Sequence, residues 1–440
     1  MRQVFPKVLT NVSYGGGTQY IGVLDGFSIS SDSITYGRDS TRAPCRIGGV
    51  FSLLTVYSQT PVPATTTLTL FVNGVATSLT VTITASDTLV SDQTHTVTIN
   101  PTDDITYQIL TTQQAFPGFS LGVSIAFDGA ENLYGLTSKP TFWSGGGIGG
   151  AFGNGVTETW TAVGVPVESV TYSITATAGT VTGLIIRSYL AAADTGTWTA
   201  YLMVDRVLQD GTGATVNTAL VLADPAKIAS NSFSVPVALG QHVDIVVARA
   251  GGAPPFSLAQ IGLGVTFTPT LAGAFMSCGG SNDSISNSVT GWKWTHSLQL
   301  ATPEGVNVAP VGPSGLGILG LYVERTNIGT LVPGPPGVGK SYVHTLRKSY
   351  TSTPVAVTIA DLNFTGSIFG PRIDFGPTDV MTLEIDPVGT PANSGFYWGL
   401  LLTLVSPTPP PVGPPGCPVA LGVGTGGGPV CAVPWTVEST

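Results

Sequence analysis

The stretch NPTDDITYQI (residues 100–109) returns twice further along the chain, as LGQHVDIVVA (239–248) and as GPTDVMTLEI (376–385). Each copy opens with turn formers and continues as an alternating apolar and polar run, the pattern of a half-buried strand. Ile105, Val243 and Met381 take equivalent places, each 138 residues after the one before. A second marker keeps the same register. TLTLFVNGVATSLTVTI (67–83) is matched by HTLRKSYTSTPVAVTI (344–359), and Thr69 to Thr345 and Ile83 to Ile359 are both 276 apart, twice 138. So long a period exceeds a solenoid rung or a propeller blade, and the repeating unit is a complete domain.

Further markers agree. Gly-rich openings read SYGGG (13–17), WSGGG (143–147) and SCGGS (277–281). Early strands read GVFSLLTVYS (49–58), TGLIIRSYL (182–190) and GILGLYVER (317–325), and closing strands read PGFSLGVSIAF (117–127), PPFSLAQIGLGVTF (254–267) and FYWGLLLTLV (396–405). Short runs of Val, Ile, Thr and aromatics are punctuated by Asn73-Gly74, Asp128-Gly129 and Asp210-Gly211, and no run has the period of an amphipathic helix. The middle copy carries a longer hairpin at 201–222. The expectation is an all-β chain of three tandem antiparallel β-sandwiches. Jelly-roll connectivity is preferred, with an immunoglobulin-like sandwich as the alternative. The boundaries are 1–136 (with an N-terminal arm), 137–271 and 272–405. Residues 406–440 form a Pro/Gly-rich tail whose start should be an extended polyproline connector.

Composition sets limits on function. Of 440 residues, 42% are hydrophobic and only 9% charged, against a usual charged share of roughly 25%. The mean hydropathy is +0.33. With 57 Gly and 33 Pro, such a chain reads as short strands joined by tight turns, with a surface suited to permanent assemblies. Sixteen Lys and Arg against 25 Asp and Glu give a net charge of −9. No basic stripe offers a footprint for nucleic acid, Arg347-Lys348 being the nearest approach. The N-terminus lacks the apolar core of a secretory signal, and no apolar run of membrane-spanning length occurs. Cys45, Cys278, Cys417 and Cys431 are too dispersed for a disulfide framework. Cys417 and Cys431 flank a Gly-rich loop, where pairing and free thiols are equally open.

One motif invites a catalytic reading. Gly334, Gly339, Lys340 and Ser341 fall in the G-x-x-x-x-G-K-S spacing of a phosphate-cradling loop. That chemistry needs a buried parallel strand before the glycines and a helix directly after Lys-Ser. Here the following SYVHTLRKSYTSTPVAVTI is strand-like and contains Pro354. The 276-residue offset places Gly339, Lys340 and Ser341 on Pro63, Ala64 and Thr65, and in the middle copy Gly196 and Thr197 are the nearest equivalents. A chance match is therefore expected, with no cofactor. His95, His242, His296 and His344 lack metal-ligand spacing. Asp103 and Asp104 suggest paired carboxylates, but Asp103 matches Asp379 at a strand-entry turn, where Asp is favoured for bonding its own backbone. Trp143, Trp160, Trp198, Trp292, Trp294, Trp398 and Trp435 could form a sugar-stacking platform, although their recurrence in the repeat favours packing. No catalytic residue, cofactor site or metal site is expected.

Tandem, low-charge sandwiches with Gly-rich openings and a Pro/Gly-rich tail resemble virion structural proteins of tailed bacteriophages, of the head-decoration or fibre type. The resemblance is carried by segments such as LYVERTNIGTLVPGPPGVGKSYVHTLRKSYTS (321–352) and GVFSLLTVYSQTPVPATTTLTLFVNG (49–74) and spans about residues 12–405. It implies a non-enzymatic protein that is assembled in the host cytoplasm and exposed on the particle. Its partners would be other virion proteins and copies of itself in a cyclic homo-oligomer such as a trimer. Two other readings are a host-recognition adhesin for cell-surface glycans and a bacterial extracellular filament subunit. Equilibrium dialysis checks the rejected nucleotide site: the protein should retain neither ATP nor GTP, and Lys340→Ala should leave assembly unchanged.

Overall fold

The computed structural model describes residues 2–14, 17–23, 42–112, 115–134, 173–188, 197–205, 207–209, 218–221, 228–250, 261–281, 286–293, 304, 308–326 and 334–405. Met1–Val405 form one compact unit and Ser406–Thr440 a second. The second, with the expected polyproline connector, Cys417 and Cys431, lies outside the described residues.

Among the described residues there is no α-helix, and the strands fall into six antiparallel sheets. The first sandwich contains β1 (Arg2–Tyr14), β2 (Gly17–Ile21), β3 (Ala43–Pro44), β4 (Gly49–Tyr57), β5 (Thr66–Val72), β6 (Val75–Ile83), β7 (Leu89–Ile99), β8 (Asp104–Thr111) and β9 (Ala115–Gly129). One sheet runs β1-β9-β4-β7 and the other β2-β8-β5-β6, with β3 also on β8. The chain crosses between sheets at nearly every connection, and its first and last strands lie side by side. That is the double Greek key of a jelly roll, not the immunoglobulin arrangement.

The second sandwich repeats the plan with β10 (Asn132–Tyr134), β11 (Ser173–Ile174), β12 (Gly179–Ser188), β13 (Thr197–Val204), β14 (Val207–Leu208), β15 (Thr218–Val221), β16 (Ile228–Val237), β17 (His242–Ala250) and β18 (Ile261–Pro269). Its sheets run β10-β18-β12-β16 and β11-β17-β13-β14, and the long hairpin adds β15 against β13. The third contains β19 (Ala274–Ser281), β20 (Gly291–Lys293), β21 (Ala309–Pro310), β22 (Leu316–Thr326), β23 (Gly337–Lys348), β24 (Thr351–Asp361), β25 (Thr365–Phe375), β26 (Val380–Val388) and β27 (Gly395–Leu404). Its sheets run β19-β27-β22-β25 and β20-β26-β23-β24, with β21 on β26. Sheet membership changes between Gly129 and Asn132 and between Pro269 and Ala274. The first change precedes the expected junction at 136/137 because Asn132–Tyr134 already pairs with β18.

The stretch that opens the repeat has one structural task. Ile105, Val243 and Met381 pair with Ala43, Ser173 and Ala309, the same register in each sandwich. Just before each strand, the side chains of Asp103, Gln241 and Asp379 accept the N–H groups of Asn100, Ala238 and Gly376 at 2.6–2.7 Å. These turns also latch the neighbouring hairpin. Asn73 accepts the Asp104 N–H at 2.9 Å and donates to Asp103 at 2.7 Å. Asp205 accepts from the His242 N–H at 2.8 Å and from Gln241 Nε2 at 2.7 Å, and Ser349 donates to Asp379 at 2.7 Å. Asn73-Gly74 is the two-residue turn its letters announce, with φ of 51° and 79°, as a type I′ hairpin requires. Asp128-Gly129 is not a turn. It ends β9, where Asp128 pairs with Arg2 and Gly129 with Gly49.

Inward-facing aliphatic and aromatic side chains fill each sandwich. The packing is close enough to dictate glycine. A Cβ added at Gly49 would lie 2.5 Å from the Phe127 ring, and one at the equivalent Gly179 would lie 2.3 Å from the Phe267 ring. Gly49→Val should therefore cost about 1–3 kcal/mol by overpacking, read as a lower midpoint in chemical denaturation. Adding Phe127→Ala should restore part of that loss, and an additive double mutant would contradict the assignment.

Candidate functional site: three seams closed into a ring

Among the described residues, no three His, Cys, Asp or Glu side chains gather into a group able to hold a metal ion. What recurs is a seam, and the seams form a cycle. The short strand and the residues after it in each sandwich (Pro44–Arg46, Ile174–Ala176 and Val308–Gly312) pack on the β9-type strand of another. Pro44 meets Gly264, Ile174 meets Gly399, and Val308 meets Gly122. A Cβ added at Gly264, Gly399 or Gly122 would come within 2.5–2.8 Å of the facing carbonyl oxygen. The first sandwich thus docks on the second, the second on the third, and the third on the first. Head-to-tail contacts of this kind close into a ring when the rotation permits.

The core clusters follow the same cycle. Leu133 of the second sandwich lies in the first core; Ala274, Met276 and Leu401 of the third lie in the second; Val4, Val8 and Ala126 of the first lie in the third. Buried amides add direction. Gln3 exchanges two hydrogen bonds with the Leu133 backbone at 2.8 and 2.9 Å. Asn132, which like Gln3 faces a closing-strand phenylalanine in register, donates to the Ala274 carbonyl at 3.0 Å.

Polar chemistry differs from seam to seam. Between the first and second sandwiches, Arg46 donates to Thr266 Oγ1 at 3.1 Å and Ser232 Oγ at 2.6 Å, and to the Asn231 and Thr182 carbonyls at 3.3 Å. Arg187 pairs there with the buried Asp104 at 3.0 Å. Between the second and third, His242 Nε2 meets Glu324 Oε2 at 2.9 Å, and Cys278 Sγ donates to the Ile174 carbonyl at 3.2 Å. Between the third and first, the Tyr57 and Tyr350 hydroxyls meet at 2.5 Å. Burial first, then the Tyr57 hydroxyl, raises the Tyr350 phenol above its ordinary range, so this contact stays neutral.

Of the P-loop letters, Gly339, Lys340 and Ser341 fall on β23 and Gly334 precedes it. Gly337 pairs with Asp361 and Ser341 with Ala360, leaving Val338, Gly339 and Lys340 bulged between them. The Gly339 N–H is taken by Asp361 at 2.7 Å, and the Gly334 N–H by the Arg325 carbonyl at 3.2 Å. Ser341 continues into β23, where a phosphate cradle would need the start of a helix. Arg347 and Lys348 are neutralised by Glu304, Glu384 and Asp379. Burial raises the Cys45 thiol well above its ordinary range and pushes Cys278 up to about 12, so neither is a thiolate nucleophile. Trp398 and Tyr397 are buried in the third sandwich and present no face to a sugar. Trp292 is half-buried, Trp198 lies on β13 opposite Leu220 and Arg249, and Trp143, Trp160, Trp294, Trp435 and His296 lie outside the described residues. The seam residues carry no sequence motif; only the repeat register, which equates His242 with Asp104, hints at them.

No family model matches the sequence, and no curated protein matches it. Among solved structures, PNGF-II is 10% identical with a TM-score of 0.18, covering 51% of this chain and 57% of that one. The chain therefore spans little more than half of that protein. A triple jelly-roll protein of an archaeal virus turret assembly is 11% identical with a TM-score of 0.15, covering 91% and 89%. A protein of Sulfolobus turreted icosahedral virus is 11% identical with a TM-score of 0.16, covering 91% and 90%.

The Asp104–Arg187 contact tests the seam directly. A double-mutant cycle with Asp104→Asn and Arg187→Met should return a coupling of about 1–3 kcal/mol in denaturant unfolding. A coupling near zero would remove this pair from the forces closing the ring.

Proposed function

We propose that this chain is a non-enzymatic structural protein of a virion surface, in a capsid-decoration role on a tailed-bacteriophage particle. The cyclic closure of three jelly rolls within one chain carries the reading. Such a ring is a ready-made three-lobed tile that covers a threefold position without needing two further chains. A trimeric fibre would use these seams between chains, whereas here they are occupied internally, which favours decoration over fibre. The charge-poor surface supports extensive contact with other virion proteins and with neighbouring copies. Val338, Leu362 and Val388 are exposed and brought to one end of the third sandwich by the β23–β24 and β23–β26 pairings. They form a natural contact for such a neighbour.

Imaging of purified native particles tests the proposal. The expected result is one three-lobed density per chain, repeated at every equivalent surface position. Absence from the particle, or lobes contributed by three different chains, would refute it.

A further inference from the structure

The latch between the β5–β6 hairpin and the turn before β8 sets an amide against a carboxylate. Asn73 Nδ2 donates to Asp103 Oδ1 at 2.7 Å, and Asn73 Oδ1 accepts the Asp104 N–H at 2.9 Å. In the second sandwich the roles are reversed: Asp205 holds the hairpin place and accepts from the Gln241 amide at 2.7 Å. In the third, Ser349 donates to Asp379 at 2.7 Å. Each latch therefore matches one donor with one carboxylate.

Asn73 differs from Asp205 and Ser349 in a second respect. It carries a side-chain amide and is followed by glycine, at an exposed hairpin tip where Val75 is 68% exposed. Glycine has no Cβ to shield its backbone nitrogen from the side chain before it. The Gly74 nitrogen adds to Asn73 Cγ, the Cγ–Nδ2 bond breaks, and ammonia leaves. Water then opens the cyclic imide at either carbonyl, giving aspartate or isoaspartate at position 73. Asp205-Arg206 and Ser349-Tyr350 have no amide to lose.

The product does not fit the latch. In aspartate an oxygen replaces Nδ2, 2.7 Å from Asp103, so the hydrogen bond is lost and two like charges face each other. Isoaspartate adds a main-chain methylene to a two-residue turn whose φ angles of 51° and 79° suit type I′. The damage falls on a seam. Asp104 pairs with Arg187 of the second sandwich at 3.0 Å, and Arg187 also donates to the Thr102 carbonyl at 3.0 Å. Thr102 is a β-branched residue at φ 79°, where the corresponding Gly240 has φ 80°. Its contacts, and not its own preference, hold that turn.

We infer that Asn73 is a site of spontaneous deamidation, and that conversion there releases the hairpin latch and loosens the seam between the first and second sandwiches.

Ageing the full chain in mildly alkaline buffer tests this, with Asn154→Gln removing the other Asn-Gly. Peptide mass mapping should show amide-to-acid conversion accumulating at residue 73 ahead of the other asparagines. The thermal midpoint should fall with it by a few degrees. Asn73→Asp should reproduce the fall without ageing and reduce the Asp104–Arg187 coupling measured by double-mutant cycle. Asn73→Asp combined with Asp103→Gln, which installs the pairing of the second sandwich, should recover the midpoint. An Asn73 amide that survives ageing, an Asn73→Asp variant as stable as its parent, or a double variant no more stable than Asn73→Asp alone would overturn the inference.

Discussion

The close approach of one backbone to another at the three seams is the constraint on which the assembly depends. Gly122, Gly264 and Gly399 lie on closing strands, and the segment that meets each one comes within a distance that no Cβ could occupy. A jelly roll leaves an outer sheet face that must be solvated or covered. This chain has too few charges to solvate three such faces. Covering each face with another sandwich removes apolar surface from water, and that gain scales with area. The first strands β1, β10 and β19 contribute to the shared clusters, so folding of each sandwich and closure of the ring are coupled.

The three seams share geometry but not chemistry. An arginine network with an Asp–Arg pair, a His–Glu pair and a Tyr–Tyr contact occupy corresponding places. These pairs are not interchangeable. Placing Arg187 against His242, or Glu324 against Asp104, would set like charges together or leave a buried group unpaired. Differentiated seams specify which sandwich meets which, in the order 1-2-3, in the way that mismatched polar groups specify partners elsewhere.

Much of the fold was legible in the letters because strands are local. The 138-residue register predicted the equivalence of Ile105, Val243 and Met381, and the same pairing partners meet them in all three sandwiches. Asn73-Gly74 specified its own turn, since both φ angles must be positive. Asp128-Gly129 carried similar letters and misled: pairing of Asp128 with Arg2 and of Gly129 with Gly49 overrode local turn preference. Glycine and lysine in GPPGVGKS matched a nucleotide motif because a bulge and a phosphate loop both need glycine. Here Gly339, with φ of 72°, sits in the bulge between β23 and β24.

Sequence by itself determined the strand-forming composition, the number of repeats and the turn positions, because alternation and turn chemistry act over a few residues. Tertiary structure alone decided the jelly-roll order of the sheets and the cyclic docking of the sandwiches. It also decided the pairing of Arg187 with Asp104 and of His242 with Glu324. Those contacts join residues 83 and 82 positions apart. Their energy depends on burial and on which groups share a seam, and neither is written in any local pattern.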